Sequence, residues 1–285
     1  MSLVWAIVTG FILSYVFKSG WFFLLGLFIG PMLYRKYIGW MDKIHTNNVN
    51  PTLYLVVLFE ALGHISKAKG VVTQDNIALA TRLMDQLNLD SDKRKLAQES
   101  FNKGKSANYP LQERLQELYN HYRYRKKVLN VFCEQLIIAA VMDGVLDEKE
   151  QQVLFIVARI FHIPQTQMAM YIQMMMASQQ FRQSGTYQGG YYQYEHYQQN
   201  SGYQQNSYQR RTSQNDIDNA YKILGVAPSS DPATIKRAYR KLMNEHHPDK
   251  LMSKGLPKEM LEAAKKRAQE IQAAYDAIKL HRGFK

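Results

Sequence analysis

From Leu3 to Leu33 the chain carries a single formally charged side chain, Lys18, and from Trp21 to Leu33 it is almost wholly apolar. About 20 apolar residues are enough to cross a bilayer as one helix, so this run predicts a membrane anchor over residues 1–34. Trp5, Trp21 and Trp40 fall near the expected interfaces, and Lys18 either snorkels or sits in a helix contact. A cleaved signal peptide is the competing reading, but no basic stretch precedes the run and no small-residue cleavage site follows it. Gly26 and Gly30 make a GxxxG pair, a spacing that lets two helix backbones approach and admits a homodimer through the anchor. Arg35, Lys36 and Lys43 follow the run, which predicts an N-terminus outside the cytoplasm and a chain inside it after Tyr34.

Residues 50–180 read as a helical domain. Tyr54–Gly63, Ile77–Leu87, Leu111–Tyr119, Val128–Val141 and Val153–Phe161 each repeat apolar residues at three and four spacing. Turn signals at Lys69-Gly70, Asn108-Tyr109-Pro110, Asp143-Gly144 and Ile163-Pro164 separate them. Within this domain Gly70, Leu79, Leu83, Leu87 and Leu89 match Gly144, Val153, Val157, Phe161 and Ile163 at a constant offset of 74 residues, an internal duplication of a turn and an amphipathic helix. In the second copy Asp143, Asp147 and Glu150 stand in a pattern that oxygen-binding cations favour. The first copy has Lys69, Thr73 and Asn76 at those places, and acids in a first helical turn are expected from the helix dipole alone. The expectation is a module without metal or other cofactor. The single cysteine, Cys133, lies in an apolar run and reads as a buried thiol.

Between Arg182 and Asp216 there is no Leu, Ile, Val or Met, and seven of the 19 tyrosines fall between Tyr187 and Tyr208. Such a stretch lacks the apolar surface to offset its ordering entropy. Residues 182–215 therefore predict a disordered tether on which residues 216–285 move freely over the bundle.

The formal charge of +12 is concentrated in that last segment, which alone carries +5. Here Asp218–Gly225 reads as a short helix. Asp231 is a candidate N-cap followed by Pro232 at the first helical position, and Ile235, Ala238 and Leu242 form the stripe of a second helix ending at His246. Its opposite face carries Lys236, Arg237, Arg240 and Lys241, with Tyr239 beside them. A polar loop containing His247-Pro248-Asp249 leads to Pro257, which begins a long helix striped by Leu261, Ala264, Ala268, Ile271, Tyr275 and Ile278. The two amphipathic helices must pack antiparallel to hide their stripes, leaving the tripeptide at the exposed tip.

Four blocks in order, Ala220-Tyr221-Lys222-Ile223-Leu224-Gly225-Val226, Ile235–Leu242, His247-Pro248-Asp249-Lys250 and Gln269–Tyr275, resemble a J domain. Set behind an anchor and a duplicated helical domain, they resemble the membrane-anchored DnaJ-like co-chaperones of bacteria, whose middle region is of the tellurite-resistance-B type. The resemblance implies an all-α chain: a transmembrane helix, a helical bundle and a J-domain hairpin. It implies a bacterial inner-membrane protein whose partner is a DnaK-type chaperone, with His247, Pro248, Asp249, Lys236, Arg237, Tyr239, Arg240 and Lys241 in the contact.

ATP would be cleaved on the partner, since this chain has no Gly-rich phosphate loop with a following Lys, and no enzymatic activity of its own is expected. An alternative is a membrane-tethered adaptor or stress sensor whose helical domain binds the main partner. Nucleic acid is disfavoured as a partner. The basic run Tyr122-Arg123-Tyr124-Arg125-Lys126-Lys127 has no groove-reading motif with it, and anionic membrane lipid explains it equally well. Two departures are visible: no further helix follows Leu280, and Ala268 stands where many J domains carry a larger aromatic residue.

Overall fold

The computed structural model describes residues 7, 15, 29–32, 50–68, 70, 72–142, 146–184 and 214–284. Gly26, Asp143 and residues 185–213 of the expected tether 182–215 lie outside them, as does nearly all of the predicted anchor; the tether's ends, 182–183 and 214–215, are helical rather than disordered. Among the described residues every regular element is a helix, and none is long and apolar enough to cross a membrane.

The bundle is built around α1 (Pro51–Ala68), whose buried residues include Leu53, Tyr54, Leu58, Phe59, Leu62 and Ile65. A helix apolar on nearly every side needs neighbours on every side. It obtains them from α3 (Ser91–Gly104), α4 (Leu111–Tyr122), α5 (Lys126–Ala140) and α6 (Glu148–Ile160), with α2 (Gln74–Gln86) and α7 (Gln165–Gln183) completing the unit. Rings set edge-on link the layers: Tyr54 to Phe132 at 5.3 Å and Phe132 to Phe161 at 5.5 Å. α1 and α3 approach closely because glycines face their neighbour's backbone. A Cβ on Gly63 would lie 2.2 Å from the Phe101 carbonyl oxygen, and one on Gly104 1.9 Å from that of Glu60.

The duplication seen in the sequence extends to backbone detail. Thr73 caps α2 and Asp147 caps α6, each in a reciprocal box with the residue three on, Asn76 and Glu150. Both helices end in the same way. Asn88 and His162 adopt left-handed backbone with φ of 48° and 53°, and the next amides, Leu89 and Ile163, donate to the carbonyls of Met84 and Ala158 at 3.2 and 2.8 Å. The offset also pairs Glu60 of α1 with Glu134 of α5, and both are buried. Asp147 and Glu150 of the acidic pattern are thus engaged in a helix cap.

The C-terminal module begins with α8 (Gln214–Leu224), longer at its start than the periodicity suggests, followed by α9 (Pro232–His246), capped by Asp231. The stretch after His246 is not simply a loop. It holds a short helix, α10 (Pro248–Met252), and a 3-10 turn at Lys258–Met260 before the long α11 (Leu261–Arg282). α9 and α11 run antiparallel, as expected. Arg282 at the end of α11 donates to the Ser230 carbonyl just before α9, and the Tyr239 and Tyr275 rings stack at 4.2 Å midway.

The module does not roam. Asn50–Lys285 is one compact unit, in which α8 packs against α7 as well as α11, and α9 touches α5. Free movement over the bundle is therefore corrected, and the reason lies in α7. Its buried set, which includes Met168, Tyr171, Met174, Met175, Ala177 and Phe181, occupies more than one face and needs a second neighbour. Ile217, Ala220, Tyr221 and Leu224 of α8 are buried alongside.

Candidate functional site: the His-Pro-Asp helix start and its basic flank

His247 is at once the C-cap of one helix and the N-cap of the next. With φ −63° and ψ 122° it breaks α9 and becomes the N-cap of α10, its Nδ1 accepting the Asp249 amide at 3.3 Å. Pro248 takes the first helical position, where a ring that fixes φ and offers no amide costs nothing. The Leu251 amide closes the turn on the His247 carbonyl at 3.0 Å, and Leu251 is fully buried. The tripeptide is thus held from below by an apolar plug, while its polar ends face water: the His247 side chain is 39% exposed and that of Asp249 80%. Their 4.0 Å separation leaves imidazole and carboxylate both able to address a partner.

Of the predicted basic face, Lys236, Arg237, Arg240 and Lys241 are all exposed. Tyr239 is placed differently. It is half-buried, its ring stacks on Tyr275 and its hydroxyl donates to Gln272. It braces α9 on α11. Gly26 lies outside the described residues, and Gly30 stands in the helical stretch 29–32.

The sequence did not signal that the residue before the tripeptide, His246, is a bundle contact. His246 is 3% exposed, with Nε2 at 3.4 Å from Glu134 Oε1 of α5. Burial, then the nearby Arg267 and Lys127 cations, lowers the imidazole pKa to about 3, while burial raises Glu134 to about 7. The imidazole is neutral at physiological pH, so this is a buried polar contact rather than an ion pair. A second polar seam lies alongside. Glu270 of α11 accepts from Arg267 at 3.0 Å and Ser178 at 2.9 Å, and meets Arg182 at 3.1 Å; Ser178 and Arg182 belong to α7. Nearer the tripeptide, Lys127 of α5 donates to the Asn244 carbonyl at 2.8 Å, and Lys250 binds the amide oxygen of the same asparagine. On the far side Lys93 of α3 pairs with Glu259 at 3.1 Å. Cys133 is buried and its thiol pKa pushed well up, which suits packing and not nucleophilic work. Among the described residues no group of three His, Cys, Asp or Glu side chains is arranged to hold a metal ion.

Comparison with known proteins assigns both modules to families. The DnaJ domain family matches residues 219–281, and the tellurite resistance protein TerB family matches 56–183. The co-chaperone protein DjlA of Haemophilus ducreyi is 46% identical over 84% of this chain and 82% of its own length. Those of Photorhabdus laumondii and Escherichia coli are each 40% identical over 99% of both chains. No solved structure matches.

Proposed function

Because this chain belongs to the DjlA co-chaperone family, we propose that it is an inner-membrane regulatory co-chaperone that stimulates ATP hydrolysis by a DnaK-type chaperone. The observation that carries the reading is the capped start of α10: the half-buried His247 and the exposed Asp249 are fixed in mutual geometry by Pro248, beside an exposed row of four cations. The row steers an acidic partner surface and sets register, and His247 and Asp249 supply directional hydrogen bonds once it is seated. Hydrolysis takes place on the partner, and this chain acts by favouring the partner's cleavage-competent state. The apolar run at 3–33 anchors the chain in the bacterial inner membrane, with its N-terminus periplasmic and its C-terminal domains cytoplasmic, and Gly26 and Gly30 allow anchors to pair.

The test is single-turnover ATP hydrolysis by the cognate DnaK-type protein with the full chain added. His247→Gln and Asp249→Asn are each expected to abolish stimulation while thermal unfolding stays unchanged, since neither side chain is buried. Normal stimulation by either variant would sink the reading.

A further inference from the structure

The basic run Tyr122–Lys127 belongs to no element of the J domain, yet the fold brings its end to the tripeptide. Lys127 and Lys250 share one residue, Asn244, the first through its backbone oxygen and the second through its side chain. Lys254 is near enough to act on Lys127 as well: burial first, then Lys250 and Lys254, hold the Lys127 ammonium below its ordinary pKa, with Glu245 the opposing acid. Three ammonium groups, one from the bundle and two from the J domain, are thus gathered at the edge of the His-Pro-Asp helix. Lys126 is exposed in the same first turn of α5, and Arg123 is exposed just before it, over the Tyr124 ring at 4.8 Å.

A first helical turn disfavours cations, because the helix dipole is positive there. Lys126 and Lys127 therefore gain nothing from their own helix, and Lys127, although it donates to Asn244 and faces Glu245, also stands beside Lys250 and Lys254. Anchoring of the J domain does not require the arrangement, since the Glu270 and His246 contacts already join α7 and α5 to it. An acidic surface seated on the tripeptide and reaching across onto the bundle would offset the repulsion.

We propose that the chaperone-facing surface is composite, with Lys126 and Lys127 of the bundle continuing the row Lys236, Arg237, Arg240, Lys241 and Lys250, so that the bundle itself touches the acidic face of the DnaK-type partner. This rests on the co-chaperone reading above and extends it. An anionic lipid surface is the rival occupant. Continuity with the tripeptide, which addresses a protein, favours the chaperone.

The test uses the full chain in nanodiscs of zwitterionic lipid and follows single-turnover hydrolysis against co-chaperone concentration. Lys126→Glu/Lys127→Glu is compared with Arg82→Glu/Lys149→Glu, which makes the same charge change at exposed positions on α2 and α6. The first pair is expected to raise the half-maximal concentration about tenfold at low salt, and by less than about threefold at high salt, with the maximal rate preserved. The milder Lys127→Gln should show a smaller shift of the same sign, which guards against a folding defect in the double reversal. Three results would overturn the proposal: no difference from the control pair, stronger stimulation than the unaltered chain (the bundle then masks the site), or an effect seen only in anionic nanodiscs (the cations then serve lipid). His247→Gln is run in parallel. Lost stimulation there with an unaffected lysine pair rejects the composite surface alone, whereas retained stimulation rejects the co-chaperone reading itself.

Discussion

Glu60 and Glu134 occupy the same place in two copies of one repeat, and their partners decide what each costs. Glu60 accepts from the Tyr109 hydroxyl at 2.6 Å and Arg114 Nε at 2.9 Å, with Lys103 at 3.2 Å, so its buried charge is compensated within the bundle. Glu134 has the neutral His246 instead. Its pKa of about 7 lies above the ordinary 4.5, so the folded chain holds a proton that the unfolded chain has lost between those values. The stability it contributes is full below pH 4.5 and is lost as pH rises through 7. Glu134→Gln, which needs no proton, should therefore gain relative to the unaltered chain by about 3 kcal/mol on going from pH 4 to pH 8. Urea melts at both pH values check it, and equal differences would show that Glu134 is not buried in its ionised form. Gly104→Ala makes a second residue-scale prediction. Helix propensity favours alanine by about 1 kcal/mol, but a Cβ 1.9 Å from the Glu60 carbonyl oxygen forces α1 and α3 apart, so a net loss of roughly 2 kcal/mol or more is expected in the same melts.

At the scale of elements, long amphipathic helices were legible and short or compound ones were not. The stripes Leu79-Leu83-Leu87 and Val153-Val157-Phe161 announce α2 and α6, whereas the left-handed ends that the two helices share at the same 74-residue offset emerge only in the structure. The five-residue α10 is too short to show any periodicity, and it read as loop although Pro248 at a first helical position is a start signal. Likewise Pro257 read as the start of α11, whereas the 3-10 turn Lys258–Met260 comes first. Tyr239 sat on the basic face by sequence spacing alone. Only the partner helix shows that Tyr275 and Gln272 claim it. The paired caps give a prediction that belongs to this scale. Thr73→Ala and Asp147→Ala should each cost about 1 kcal/mol, with Asp147 the dearer because its charge also meets the helix dipole. Thermal melts of the two variants measure the difference, and an unaffected Asp147→Ala would leave the acidic pattern without the structural role assigned to it.

In the whole molecule the feature least visible in the sequence is the docking of the J domain on the bundle, because its contacts join residues far apart in the chain and no periodicity records which surface covers which. In retrospect α7 carried half the signal: a helix with Met168, Met174, Met175, Ala177 and Phe181 all buried has more apolar surface than one neighbour can hide. The other half is electrostatic. Glu270 is 3% exposed and depends on Arg267 from its own helix and on Ser178 and Arg182 from α7, so undocking would strip a buried carboxylate of two of its three partners. Losing one member of such a set while the others stay buried costs about 3 to 5 kcal/mol, which ties the docked arrangement to an intact seam. Cleavage at a protease site placed between residues 190 and 210 should therefore leave two fragments that still co-elute in gel filtration. Glu270→Ala, which leaves Arg267 buried without its carboxylate, is expected to separate them, while Glu262→Ala on an exposed turn of the same helix should not. Fragments of the unaltered chain that part on cleavage would restore the free module that the tether's composition suggests. Continued co-elution of the Glu270→Ala fragments would shift the weight of the contact from this seam to the apolar face between α7 and α8.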